Sequence, residues 1–185
     1  EISECLVGSE MCIRDRFTMF KNPDKETVLT PWRVVNMHMS DCLGGWCFYN
    51  EDFTETLDEP RFVDHGDVTK DTFANIDAKI LEINSKTGLY PLYVTYSIFR
   101  KRLDSIPVAE RTLEKQYELW IKTIEENVFV ICKTPMAKSI TKRTLLGYRK
   151  GKINAHAFDD LINQLKEKPQ QFKEKVLRGS TWNKK

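Results

Sequence analysis

From Ala78 onward the hydrophobic pattern switches repeatedly between short apolar runs and helical stripes, and few folds accommodate that alternation. Ile80-Leu81-Glu82-Ile83 is a short apolar run with an acid near its end, and Asn84-Ser85-Lys86-Thr87-Gly88 follows it as a turn. Leu92, Tyr96, Phe99 and Leu103 then share one helical face. A second helix is expected around 110–126, with Leu113, Tyr117, Trp120, Ile121 and Ile124 as its core stripe, before the buried-type strand VFVIC at Val128 to Cys132. Parallel strands need a long connection, so this order predicts a βαβ crossover. The alternation continues through a helix over 136–146 and a short segment at Ile153-Asn154-Ala155. Phe158, Leu161, Ile162 and Leu165 then mark a helix that Pro169 is expected to stop. The expected class is α/β, a mostly parallel sheet with flanking helices.

Ahead of this region, Thr30-Pro31 opens a helix, with Thr30 expected as cap and Pro31 as first helical residue. Val35, Met39 and Leu43 fall on one stripe, and Gly44-Gly45 ends it. Residues 46–77 mix aromatics, acids, Pro60 and Gly66 without a sustained period, which suggests a long connection with short strands or turns.

Residues 1–16 differ from the rest. The stretch from Cys5 to Arg16, CLVGSEMCIRDR, reads codon for codon as one frame of a transposase adapter used for short-read sequencing libraries. We expect residues 1–16 to be adapter-derived, with native sequence upstream of Phe17 missing. Discounting them removes four acids (Glu1, Glu4, Glu10, Asp15) and two bases (Arg14, Arg16), and raises the net charge from +2 to +4. That excess is compatible with a nucleic-acid partner but diagnoses none. Cys42, Cys47 and Cys132 remain, an odd and widely spaced set that reads as reduced thiols. No run approaches the roughly 18 apolar residues of a membrane span, so no membrane partner is expected.

KILEINSKTGLY has the form in which α/β sheets hold nucleotide-like ligands: a strand ending in an acid, a glycine-containing loop and a helix start. A bare strand-loop-helix with one glycine is as often purely structural. The similarity of Ser85-Lys86-Thr87-Gly88 to the phosphate loop GxxxxGK[ST] fails, because Ile80 and Ser85 stand at the two glycine positions.

Two segments together carry a more specific likeness. TPWRVVNMHM, from Thr30 to Met39, resembles the Thr-Pro segment (motif X) that precedes the cofactor loop in adenine-N6 DNA methyltransferases of bacterial restriction–modification systems. The strand and loop from Ile80 to Gly88 resemble cofactor-binding motif I of the same family, with Glu82 at the acid position and Gly88 at a glycine position. The wording of 29–45, 79–98 and 130–166 is similar to one bacterial subgroup, and the resemblance covers nearly all of 17–185.

The resemblance implies a partial Rossmann-like fold in which 17–77 holds the motif X helix and long connection, and 78–185 the cofactor-binding half. It implies S-adenosylmethionine as cofactor, held by Thr30, Pro31, Glu82, Asn84, Ser85, Gly88 and Asp159, with Asp160 as alternate for the last. It further implies double-stranded DNA as substrate, a base flipped from the duplex, a restriction nuclease or helicase region or subunit as partner, and a bacterial cytoplasmic setting. The family's catalytic Asn-Pro-Pro-Tyr motif is not in this sequence and is expected beyond Lys185, so no catalytic residue is assigned and this chain alone is expected to be inactive. Lys86 departs from a second motif I glycine, and Lys133 from an acid that binds the ribose hydroxyls. The alternative is a non-catalytic nucleic-acid-binding or scaffolding module on the same fold.

Other candidates have plainer readings. His38, Cys42 and Cys47 would need a fourth ligand such as His65 to hold zinc, and are expected as packing or surface residues. His156 is expected as a surface or capping residue rather than a base. Lys138, Lys142 and Arg143, continuing into Arg149, Lys150 and Lys152, form a basic run that suits DNA phosphates or simply a solvated helix face.

Overall fold

In the computed structural model, residues 29–158 and 160–177 are described. Helix α1, Trp32–Cys42, begins one residue later than expected: Pro31 is its cap, with extended ψ of 151°, and no side chain caps it. The Pro31 carbonyl accepts from Val35 N at 3.1 Å, which starts the helical ladder without help from Thr30. Val35 and Met39 are buried and Leu43 packs against the core, as the stripe requires. Gly44, at φ +77°, ends the helix, and its N–H returns to the Met39 carbonyl at 3.1 Å.

Residues 46–77 are more ordered than a connection. Strand β1, Gly45–Tyr49, pairs antiparallel with β2, Thr56–Val63, and helix α2, Asp67–Thr72, follows. Buried Asn36 ties this hairpin to α1, its Oδ1 accepting from Phe48 N at 2.9 Å. The antiparallel pair forms its own two-stranded sheet, separate from the parallel one.

The parallel sheet has the order β3-β4-β5, with β3 at Ile80–Ser85, β4 at Val128–Cys132 and β5 at Asn154–Ala157. Every residue of central β4 is buried, which explains its unbroken apolar sequence. Helix α3, Leu89–Asp104, and helix α4, Leu113–Asn127, form the crossover from β3 to β4. Helix α5, Pro135–Leu146, connects β4 to β5. The stripe Leu92, Tyr96, Phe99, Leu103 is buried as expected, but so are Tyr93, Val94 and Ile98, because α3 is the central helix of the core.

Two expectations need correction, while Pro169 does follow the end of its helix as expected. Leu113 is 49% exposed rather than core, because α4 begins there, with the Thr112 side chain accepting from Lys115 N as cap. Phe158 lies before helix α6, Leu161–Glu167, and is buried against Phe172, whereas Ile162 and Leu165 face outward, 65% and 42% exposed. Pro169 follows the end of α6 and also opens helix α7, Pro169–Leu177, since a proline's missing donor is harmless in a first turn. No helix among the described residues is long and apolar enough to cross a membrane.

Candidate functional site

A cleft of about 250 Å³ runs along β3 and is lined by Met39 of α1, Ile80 to Ile83, Tyr90, Pro91 and Val94 of α3, and Val128 and Phe129 of β4. Glu82 is the one acid in this largely apolar wall. Burial raises its carboxyl from an ordinary value near 4.5 to about 7, against the opposing pull of a hydrogen bond from Ser85. Its Oε2 is buried without a hydrogen-bond partner among the described residues. Such an oxygen either keeps a proton or accepts one from a ligand's ammonium or hydroxyl. At the margin of the cleft, the Tyr90 hydroxyl is 3.0 Å from His38 Nδ1. Burial first, then the negative charge of Glu82, holds the Tyr90 phenol above its ordinary range.

The loop after β3 is tightly packed. The ladder with β4 shifts register between Ile83 and Ser85, and the intervening Asn84 takes a left-handed conformation at φ +67° with its side chain exposed. Asparagine suits that position because its short side chain tolerates αL. Ser85 is buried, its Oγ 3.3 Å from Thr141 Oγ1, and Thr144 Oγ1 donates to the Thr87 carbonyl at 2.6 Å. Gly88 is the cap of α3 at φ +77°, and a Cβ there would stand 2.9 Å from Thr141 Cα. The loop glycine therefore serves the close approach of α5.

Of the residues assigned to a donor site, Asn84, Ser85 and Gly88 lie at and just past the carboxyl end of β3 and Glu82 lies mid-strand; Glu82 lines the cleft, and Asn84, Ser85 and Gly88 do not. Thr30 and Pro31 sit ahead of α1 and do not line the cleft; the residue of that segment that does is Met39, about two helical turns further on. Asp159 lies outside the described residues. Met39, Tyr90 and Pro91 were not singled out as site residues. Tyr90 and Pro91 open α3 two and three residues past Gly88, a position that alone signals a helix start facing the strand end.

The remaining candidates separate cleanly. Cys47 is buried with its thiol donating to the Tyr49 carbonyl, Cys42 is exposed, and His65 Nε2 lies 2.6 Å from the Ser40 carbonyl oxygen. No metal-binding group of three His, Cys, Asp or Glu side chains occurs among the described residues. His156 is held below its ordinary value by burial and by Lys138. Lys138, Lys142 and Arg143 are exposed along α5. Comparison with protein-family models, curated proteins and solved structures finds no match.

Proposed function

We propose that this chain carries the S-adenosylmethionine-binding half of an adenine-N6 DNA methyltransferase of Rossmann-like fold, with double-stranded DNA as substrate and a restriction nuclease or helicase as associated activity. The observation that carries the reading is the meeting of its two motif-like segments: Met39 from the Thr-Pro segment and Ile80 to Ile83 from the strand line one cleft. Doubly wound sheets take ligands at the carboxyl ends of their strands, where β3 leads through Ser85 to Gly88; the cleft lies beside that end, lined by the earlier β3 residues Ile80 to Ile83 and by Tyr90 and Pro91 just past Gly88. The unpaired Glu82 Oε2 fits the ammonium of an amino-acid moiety, and Met39, Pro91 and Val94 give its aliphatic chain a dry wall. S-adenosylmethionine bound there supplies the methyl group. The residues of this chain would bind and orient it, and the base chemistry belongs to the Asn-Pro-Pro-Tyr motif that the sequence does not contain.

Calorimetry with S-adenosylmethionine and its demethylated product tests this. Binding by the wild-type chain, weakened about tenfold or more in Glu82→Gln through loss of a charge-assisted hydrogen bond, is the expected result. No heat with either compound, or equal affinity in Glu82→Gln, overturns it. One observation favours a second reading, the non-catalytic nucleic-acid-binding or scaffolding module: α5 packs directly on Thr87 and Gly88, where a ligand would use the open backbone. That module would bind DNA and give no heat with the donor.

A further inference from the structure

The segment from Asn127 to Phe158 contains seven lysines and arginines and no aspartate or glutamate. All seven are exposed: Lys133, Lys138, Lys142, Arg143, Arg149, Lys150 and Lys152. In the structure this charge gathers on α5 and on the turn that leads from it to β5. Two of the arginines are held in place by tyrosines. The Arg143 guanidinium carbon lies 4.8 Å from the Tyr148 ring centroid, and that of Arg149 lies 4.6 Å from the Tyr117 centroid. Tyr117 also donates from its hydroxyl to the Lys150 carbonyl at 3.1 Å, which fixes the turn against α4. Among the described residues Lys138, Lys142, Arg143, Arg149 and Lys150 form no ion pair.

We infer that the α5–β5 turn, with its two tyrosine-stacked arginines, is a docking surface for the phosphate backbone of duplex DNA. A stacked guanidinium has lost much of its rotamer freedom already and keeps its planar fork of donors for phosphate oxygens. Each arginine lies over one face of its tyrosine, and though Tyr148 stays 73% exposed, the seven exposed cations with no acid in the segment make charge the dominant chemistry of the patch. Backbone contact of this kind is independent of sequence and positions a duplex without reading it. The inference rests on the proposed function for its DNA partner alone. The cleft runs along β3 and the patch lies on the turn into β5, the two edge strands of the sheet, and the two share no residue, so they are separable by experiment.

The test is fluorescence anisotropy of a labelled duplex with the purified chain, without S-adenosylmethionine, over about 50 to 200 mM salt. Two triple variants are compared: Arg143→Gln, Arg149→Gln and Lys150→Gln in the patch, and Lys70→Gln, Lys101→Gln and Lys122→Gln at exposed positions elsewhere. Both change the net charge equally and remove no buried group. The patch variant should lose about tenfold or more in affinity and flatten the logarithmic salt dependence by about one per residue removed, while the control stays within about twofold of wild type. Equal losses in both variants, no loss in the patch variant, or tighter binding to phosphatidylserine vesicles than to the duplex would overturn the inference. Donor calorimetry is unaffected by any of these results, so failure here and failure of the methyl-donor site remain distinguishable.

Discussion

A Cβ placed on Gly88 would meet the Cα of Thr141 at 2.9 Å, so the absence of a side chain at 88 is what allows α5 to close over the loop between β3 and α3. Gly88→Ala faces two penalties. The left-handed φ of +77° costs an L-residue about 1 to 2 kcal/mol. Overpacking against backbone adds roughly 1 to 3 kcal/mol, because Cα atoms cannot rotate away. We expect a total loss of about 2 to 5 kcal/mol in urea unfolding. Thr141→Ala should not rescue it, since the nearest atom is the Cα. A loss of only about 1 to 2 kcal/mol, the φ penalty alone, would show that α5 does not pack on this loop.

Asn84 stores a smaller strain at the same strand end, with φ +67° beside a register shift. Asn84→Gly should leave stability within about 0.5 kcal/mol of wild type, because glycine adopts this conformation freely. Asn84→Val should cost about 1 to 3 kcal/mol, as a β-branched residue resists positive φ. Equal stabilities for the two variants in thermal unfolding would mean that the bulge relaxes when the side chain changes.

The parallel sheet was legible because its strands and helices have contrasting periods: VFVIC has no polar face to show, and the stripe through Leu92, Tyr96, Phe99 and Leu103 has one. The hairpin of β1 and β2 was not, since no residue of β2 is fully buried and it carries acids and Pro60, the composition of a loop. Ile162 and Leu165 followed a helical stripe in sequence yet face outward, because amphipathic spacing records which residues share a face and not what that face meets. In the site, the glycine and acid of the β3 loop were recognisable from type and spacing. The contribution of Met39 and the packing role of Gly88 were not, for both depend on contacts with residues more than 40 positions away.

Asn127 secures the approach to β3 from the far end of α4. Its amide donates to the carbonyls of Ile76 at 2.8 Å and Ala78 at 2.7 Å, and its Oδ1 accepts from Arg102 at 3.0 Å. Arg102 also donates to the Ile76 carbonyl and to Glu126. Asn127→Leu keeps the volume but removes three hydrogen bonds, leaving the Ala78 carbonyl without this partner at about 1 to 3 kcal/mol, while the Ile76 carbonyl and Arg102 keep each other and Arg102 keeps Glu126. We expect a loss of about 3 kcal/mol in total and faster amide hydrogen exchange at Ile80 to Ile83. Unchanged exchange in that strand would mean that β3 is held by its pairing with β4 alone.

Glu82 gives the fold a pH dependence of definite sign. Its carboxyl titrates near 7 when folded and near 4.5 as an ordinary glutamate. Between those values the folded chain keeps a proton that the unfolded chain releases, so stability falls as pH rises across that window and levels above it. With the carboxyl partly open to solvent, the loss between pH 5 and pH 8 should be about 2 kcal/mol, somewhat less than the full shift implies at about 1.4 kcal/mol per unit. Glu82→Gln cannot ionise, so its stability relative to wild type should improve by that amount over the same range, as read by urea unfolding at four pH values. Parallel pH profiles for the two chains would mean that the carboxyl is solvated in the folded state. An ammonium-bearing ligand in the cleft prefers the ionised carboxylate, so its affinity should rise about tenfold from pH 6 to pH 8 in the wild type and stay flat in Glu82→Gln.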